Sequence, residues 1–196
     1  MFYMEVYEPT EDSQLLKKYI QKHAKGIVLD MGTGSGIQAE EAAASKKVIK
    51  VFGVDITKES IIHCIKNIQN KKIKFMMSNL FSVFNKDERF KKIKFDTIIF
   101  NPPYLPQDPG IEDVTLYGGK EGYEIVMRFL YQAKKFLKPK GKILLLFSSL
   151  TNKDKVEKYI LKYNYVFKEL DKKHWFFEDL YIYLVEHNPK KKIKIR

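Results

Sequence analysis

From Gly26 onward, short apolar segments alternate with longer segments of helical periodicity. The apolar segments predict strands over GIVLD (26–30), VIKVFGVD (48–55), IKFMM (73–77), FDTIIF (95–100), KILLLF (142–147), YVFKEL (165–170) and LYIYLVE (180–186). Amphipathic helices are predicted over residues 9–24, 36–45, 58–70, 123–137 and 151–163, the first capped by Thr10 and the last opened by Thr151 and Asp154. Strands that alternate with helices form parallel sheets, because a parallel pair needs a crossover connection. The sequence therefore predicts an α/β fold with a mostly parallel, doubly wound sheet and helices on both faces.

The 196 residues contain no internal repeat, linker or change of composition. We therefore expect a single domain over 1–196, with PKKKIKIR at 189–196 as a basic flexible tail. The longest apolar runs are too short to span a bilayer, and no signal-peptide pattern opens the chain. These observations predict a cytoplasmic protein that does not enter a membrane.

Charge and cysteine content limit the partners. The formal net charge is +12, from 36 Lys and Arg against 24 Asp and Glu. This favours an acidic or nucleic-acid-containing partner such as the ribosome, although lysines scattered over solvated faces give the same excess. Cys64 is the only cysteine, so an intramolecular disulfide and a cysteine-based zinc site within the chain are excluded. We predict no metal site and a buried structural role for Cys64.

The segment after the first predicted strand is glycine-rich. DMGTGSG places Gly32, Gly34 and Gly36 at alternate positions, where bare backbone allows a tight turn and close approach of a ligand. Dinucleotide sites use Gly-x-Gly-x-x-Gly instead, and no Gly-Lys-Ser/Thr follows as in a phosphate loop. Asp30, beside the loop, would repel a pyrophosphate but suits the ammonium group of an amino acid. The spacing favours S-adenosylmethionine over a dinucleotide.

The ends of the next two strands complete a nucleoside site. Asp55 ends the second strand, where a carboxylate can accept hydrogen bonds from both ribose hydroxyls. Asp55 could also cap the helix that follows, and the glycine loop one strand earlier favours the ribose role. Asn79 and Leu80 follow the third strand and are predicted to bind and pack against the adenine.

The fourth strand ends at the sequence NPPY. Two prolines cannot extend a strand, so it stops at Asn101. The Asn101 side-chain carbonyl and the Pro102 main-chain carbonyl can accept the two N–H groups of a planar amide or amine. Pro103 fixes this turn, and Tyr104 offers a ring for the planar group to pack on. We predict that this segment grips the methyl acceptor and that positioning and electrostatics supply the catalysis.

Together these motifs resemble a known family. VYEPTEDS, VLDMGTGSG, VFGVD, NPPY and YGGKEGYEIVMRFL are similar to release-factor glutamine methyltransferases of HemK type, in their short archaeal and eukaryotic branch, from about Val6 to Phe147. The resemblance implies a Rossmann-like class I methyltransferase fold of seven strands with the last strand antiparallel. It also implies methylation of the glutamine of the Gly-Gly-Gln motif in a class I release factor. Carried over by position, the S-adenosylmethionine site comprises Ser13, Asp30, Gly32, Asp55, Asn79, Leu80 and Asn101.

Two further expectations come from the resemblance. Many relatives carry Asp where this chain has Asn79, so altered cofactor binding is expected there. Members of this branch act with a small zinc-binding activator protein, for which KFMMSNLF and neighbouring aromatic residues could provide an apolar surface. Three alternatives stay open from the residues themselves: methylation of an exocyclic amine of adenine or guanine in RNA or DNA, methylation of lysine, and cofactor binding without catalysis.

Overall fold

The computed structural model describes residues 11–108, 110, 116–175 and 177–189. Its helices are α1 (Glu11–His23), α2 (Ile37–Ala44), α3 (Lys58–Asn67), α4 (Ser82–Lys86), α5 (Glu124–Phe136) and α6 (Lys153–Lys162). Its strands are β1 (Gly26–Met31), β2 (Val48–Asp55), β3 (Ile73–Met77), β4 (Phe95–Phe100), β5 (Leu105–Pro106), β6 (Tyr117–Gly119), β7 (Leu137–Ser148), β8 (Tyr165–Trp175) and β9 (Glu178–His187). The predicted cap Thr10 and tail residues 190–196 lie outside the described residues.

Seven of these strands form one sheet in the order β3-β2-β1-β4-β7-β9-β8. Pairing is parallel throughout except for β9, which runs antiparallel to both β7 and β8. The predicted fold is confirmed, including the antiparallel last strand. Strand order reverses between β1 and β4, and open α/β sheets bind ligands beyond the carboxyl ends of the strands at such a reversal.

Each face of the sheet has its own apolar core. One face packs aromatic residues of α4 and α5, where the rings of Phe81 and Phe136 stack at 4.8 Å. The other face packs α1 and α2, whose Ala39 and Ala42 let the helix approach the strands closely. Residues of β1 alternate between these cores, with Val28 on the α2 face and Leu29 on the aromatic face. Burial on both faces explains why the central strands are almost continuously apolar.

Local structure differs from the sequence prediction in several places, one of which is the short helix α4, which was not predicted. A two-stranded sheet of β5 and β6 follows NPPY and was not predicted. Strand β7 begins at Leu137 rather than 142, because Pro139 and Gly141 lie within a bulge instead of a loop. The predicted capping box of Thr151 and Asp154 is wrong: Thr151 closes a short 3₁₀ turn with Ser148, and α6 is capped by Asn152.

Candidate active site

A cavity of about 470 Å³ opens at the carboxyl edge of the sheet, over the reversal between β1 and β4. Seven of the predicted cofactor residues line it: Ser13, Gly32, Gly34, Asp55, Asn79, Leu80 and Asn101. The four predicted acceptor residues, Asn101, Pro102, Pro103 and Tyr104, line it too. Asp30 and Gly36 do not. The structure thus brings together residues from five separate segments of the chain.

Asp55 joins the glycine loop to the turn that begins α3. One carboxylate oxygen accepts the N–H of Gly34 at 2.9 Å, and the other accepts the N–H and the hydroxyl of Thr57, each at 2.9 Å. Asp55 therefore holds Thr57, the N-cap residue of α3, rather than capping the helix itself, and it also has a place in the cavity wall. An ionised carboxylate has about four acceptor positions, so it can accept further bonds from a ligand.

Asp30 lies behind the glycine loop. Its side chain shares the face of Val28, under α2, and is 1% exposed. The Thr33 hydroxyl donates to it at 2.6 Å, and the Ala39 N–H also bonds it. Burial raises the pKa of Asp30 to about 7; the Thr33 bond opposes this rise and the neighbouring Asp55 adds to it. The sequence predicted a contact with the ligand, whereas this position makes Asp30 a support for the loop and the start of α2.

Gly36 also faces away from the cavity. Its φ of +86° suits glycine, and a Cβ there would lie 2.3 Å from Ile68 Cδ1 and 3.0 Å from Cys64 Sγ. The Cys64 thiol is buried and donates to the Gly34 carbonyl at 3.3 Å. Burial raises the pKa of Cys64 to about 12, so the thiol stays protonated near neutral pH. Both residues pack the loop against α3, and the structural role predicted for Cys64 is confirmed.

Asn79 and Leu80, the residues predicted to contact the adenine (the adenine wall), lie in a segment with an unusual backbone conformation. Leu80 is buried and its φ is +48°. This backbone conformation is unfavourable for a residue with a large side chain. The Ser78 hydroxyl compensates by donating to the Leu80 carbonyl at 2.7 Å and accepting the Val83 N–H at 3.1 Å. The exposed Asn79 accepts from the Arg128 guanidinium at 3.4 Å.

The side chain of Asn101 is fixed from one side. Its Nδ2 donates to Oδ2 of Asp12 at 2.9 Å, and Asp12 is 4% exposed. A carboxylate accepts only from the NH₂ end of an amide, so this bond sets the orientation of the group. Among the described residues, the buried Oδ1 of Asn101 has no hydrogen-bond partner. An unpaired buried acceptor is costly, and a ligand N–H would satisfy it.

Close glycine packing holds the NPPY backbone. A Cβ on Gly118 would lie 2.6 Å from the Pro103 carbonyl oxygen and 2.1 Å from that of Gly122, and both are backbone atoms that cannot move aside easily. A Cβ on Gly122 would likewise lie 2.6 Å from the Tyr104 carbonyl oxygen. In the sequence analysis, YGGKEG contributed only to the family resemblance. The spacing of its glycines could have indicated a close contact between two backbone segments.

Among the cavity residues that were not predicted, three are polar groups with a clear place in the site. Asp12 lies in the first turn of α1 and holds Asn101. Gln38 is buried and donates to the Ser13 carbonyl at 3.0 Å, which ties α2 to α1, and its Oε1 has no partner in the described part of the chain. Glu178 also lines the cavity, and its Oε2 is buried without a described partner. Nothing local in the sequence marks Gln38 or Glu178.

The stretch KFMMSNLF is only partly buried. Leu80 and Phe81 are buried, whereas Met77 is 61% exposed at the end of the edge strand β3. Ile62 and Ile65 of the adjacent helix α3 are also exposed. The exposed apolar side chains of this region therefore lie on β3 and α3.

The described residues contain neither a cluster of metal ligands nor a membrane-spanning helix. No group of three His, Cys, Asp or Glu side chains there could hold a metal ion. No helix among them is both long and apolar enough to cross a membrane.

Comparison with known proteins gives consistent matches. The model of the methyltransferase small domain family matches residues 8–173. A Methanocaldococcus jannaschii protein assigned by name to the protein N5-glutamine methyltransferases is 40% identical over 154 residues, covering 75% of this chain and 74% of the relative. A Buchnera aphidicola release factor glutamine methyltransferase is 30% identical over 173 residues, covering 81% of this chain but 60% of that protein.

Solved structures show the same fold. The E. cuniculi Mtq2–Trm112 complex, described as responsible for methylation of the eRF1 translation termination factor, includes a chain that aligns with a TM-score of 0.71 at 23% identity. The alignment covers 92% of this chain and 98% of that one.

Proposed function

We propose that this protein, which belongs to the methyltransferase small domain family and within it to the S-adenosylmethionine-dependent protein N5-glutamine methyltransferases, methylates a class I release factor. The target is the side-chain amide nitrogen of the glutamine in the Gly-Gly-Gln motif. The observation that carries the proposal is the buried Asn101 Oδ1, which has no partner among the described residues and belongs to a cavity-lining residue. The release factor relatives support the substrate class.

The described residues fit the cofactor. We assign the ribose to Asp55, the adenine to Asn79 and Leu80, and the amino acid part to the loop of Gly32 and Gly34 with Ser13 nearby. Asp55 and the main chain of the loop are already joined by hydrogen bonds, so this part of the cavity needs little reorganisation on binding. The bound cofactor supplies an activated methyl group.

The acceptor amide is held by the NPPY segment. Asn101 Oδ1 accepts one amide N–H, and the Pro102 carbonyl accepts the other. A planar, neutral nitrogen matches this pair of acceptors better than a lysine ammonium, which must first lose a proton. Asp12 acts as a positioning residue, because its bond to Nδ2 prevents the Asn101 amide from presenting donors to the substrate.

A small zinc-binding activator would bind at β3 and α3. Strand β3 lies at the edge of the sheet, and Met77, Ile62 and Ile65 are exposed beside it. Edge strands and contiguous apolar patches are common protein contact sites. This surface adjoins the adenine wall, so a partner there can stabilise the cofactor site.

The test is mass spectrometry of a class I release factor incubated with S-adenosylmethionine and the protein, with and without a candidate zinc-binding partner. We expect one added methyl group on the Gly-Gly-Gln glutamine and none after that glutamine is replaced. Asn101→Ala should abolish the gain while calorimetry still detects cofactor binding.

Incorporation that persists after the glutamine is replaced would overturn the substrate assignment. Labelled RNA and DNA belong in the same assay, because an exocyclic amine offers the same planar geometry to NPPY. Methyl transfer to nucleic acid without protein labelling would replace the proposal by that alternative.

A further inference from the structure

The edge of the sheet opposite the cavity carries a row of lysines, which we call the amino edge. Its lysines precede or open the five neighbouring strands β3, β2, β1, β4 and β7: Lys71 and Lys72, Lys46 and Lys47, Lys25, Lys92 and Lys94, and Lys138 and Lys140. Parallel strands begin at one edge, about 4.8 Å apart, so the row extends over about 19 Å. The parallel topology therefore aligns charges that are scattered along the sequence.

Most of this charge is not neutralised. Lys25, Lys46, Lys47, Lys71, Lys92 and Lys140 are exposed and form no ion pair with any described residue. The carboxylates close to this edge are already engaged, as Asp96 is with Lys138 at 2.7 Å and Glu88 with Lys91 at 2.8 Å. A polyanion at the amino edge would meet unpaired cations with little repulsion.

Apolar contacts are scarce at the amino edge. Among residues 25–28, 46–50, 71–74, 92–96 and 137–142, the exposed large apolar side chain is Ile49, at 73%. Stable protein interfaces bury an apolar core, which this edge does not offer. Lysines act as mobile point charges, and such charges suit a phosphate backbone without reading bases.

We propose that the amino edge binds the phosphate backbone of RNA without sequence preference. The choice of RNA over DNA rests on the proposed function, because a release factor works on the ribosome. Binding there holds the enzyme on an RNA-containing assembly while the cavity, at the opposite edge, stays open to its substrate.

The test compares two variants that each lose three positive charges. The edge variant combines Lys25→Gln, Lys47→Gln and Lys71→Gln. The control variant combines Lys155→Gln, Lys158→Gln and Lys173→Gln, which are exposed lysines of α6 and β8 outside the amino edge. Fluorescence anisotropy would follow a labelled RNA hairpin, a DNA hairpin of the same sequence and poly-glutamate over a range of salt concentrations.

We expect the edge variant to bind RNA at least about tenfold more weakly at low salt. The slope of its log affinity against log salt concentration should become less negative by about 2 to 3. The control should stay close to the unmodified protein, and both should bind cofactor normally, which shows that they are folded. Equal weakening by both variants, tight binding of poly-glutamate, or no RNA binding by the unmodified protein would overturn the proposal. Preference for the DNA hairpin would overturn the choice of RNA. No release factor is present, so the result is independent of the methylation assay.

Discussion

The two halves of the cavity differ in how their polar groups are satisfied. On the cofactor side, over β1, β2 and β3, the carboxylate of Asp55 in the cavity wall and that of Asp30 behind the loop already accept hydrogen bonds, although Oε1 of Gln38 has no described partner. On the acceptor side, after β4, Asn101 keeps one acceptor without a described partner and its other end is fixed by Asp12. The cofactor side is largely preformed, which suits a cofactor that binds in every catalytic cycle. On the acceptor side, the unpaired oxygen of Asn101 favours a substrate nitrogen that donates a hydrogen bond to it.

The largest effect should separate the two halves. Asn101→Ala removes an acceptor from the reacting nitrogen, and we expect kcat to fall on the order of 10² to 10³-fold while the cofactor Kd changes by a small factor. Asp55→Ala removes charge-assisted hydrogen bonds from the cofactor side, so its Kd should rise on the order of tenfold or more. Single-turnover rates at saturating cofactor and calorimetric Kd values measure the two effects. If both variants lowered rate and affinity in parallel, the two halves would not be separate.

Asp12→Asn sharpens the comparison within the acceptor half. The new amide accepts more weakly from Asn101 Nδ2, so the orientation of Asn101 is less well fixed, and we expect kcat to fall about tenfold. The cofactor Kd and the melting temperature should change little.

Asp154→Asn is the matched control for Asp12, since it makes the same substitution in the first turn of α6, at an exposed position. A loss of thermal stability in Asp12→Asn as large as its loss of rate would point to a structural role instead.

The pH dependence of folding stability and of cofactor affinity tests the role of Asp30, which lies behind the cofactor half. The pKa of Asp30 is raised from 3.8 to about 7, so between these values the folded protein holds a proton that the unfolded chain has released. The contribution of Asp30 to folding stability without cofactor should therefore decline as the pH rises from about 4 to about 7, and change no further above it. Although Asp30 does not line the cavity, its ionised carboxylate behind the loop would still attract the ammonium group of the cofactor, so affinity should rise several-fold per pH unit up to about 7.

Asp30→Asn should remove this contribution from both profiles. Chemical denaturation and calorimetry at a series of pH values provide the measurement. A cofactor affinity that kept its pH dependence in this variant would assign the effect to another group.

The smallest effect is expected at the adenine wall. Asn79→Asp would place a carboxylate near the Arg128 guanidinium, which now lies 3.4 Å from Asn79 Oδ1. Exposed ion pairs contribute little, so we expect the cofactor Kd to fall only about twofold to threefold. Asn79→Ala, which removes the acceptor, should weaken binding instead. Tighter cofactor binding by both variants would exclude a role for the Asn79 side-chain oxygen.

Prediction from sequence succeeded where local pattern and topology agree. Asp55, Asn79 and Asn101 follow apolar strands, and the carboxyl ends of parallel strands lie at one edge, so their convergence was predictable. The same reasoning did not foresee the burial of Asp30. Strand β1 continues to Met31, which leaves Asp30 inside the strand with its side chain under α2.

The sequence alone thus determined the α/β fold, the sheet edge at which the cavity lies and several of the residues that line it, because hydrophobic periodicity and strand ends are local properties. Only the tertiary structure decided the bond between Asp12 and Asn101, 89 residues apart, and the packing of Gly118 on Pro103. It also aligned the lysines of the amino edge. Such contacts depend on how distant segments pack and on the direction of single side chains, and no short-range pattern encodes either.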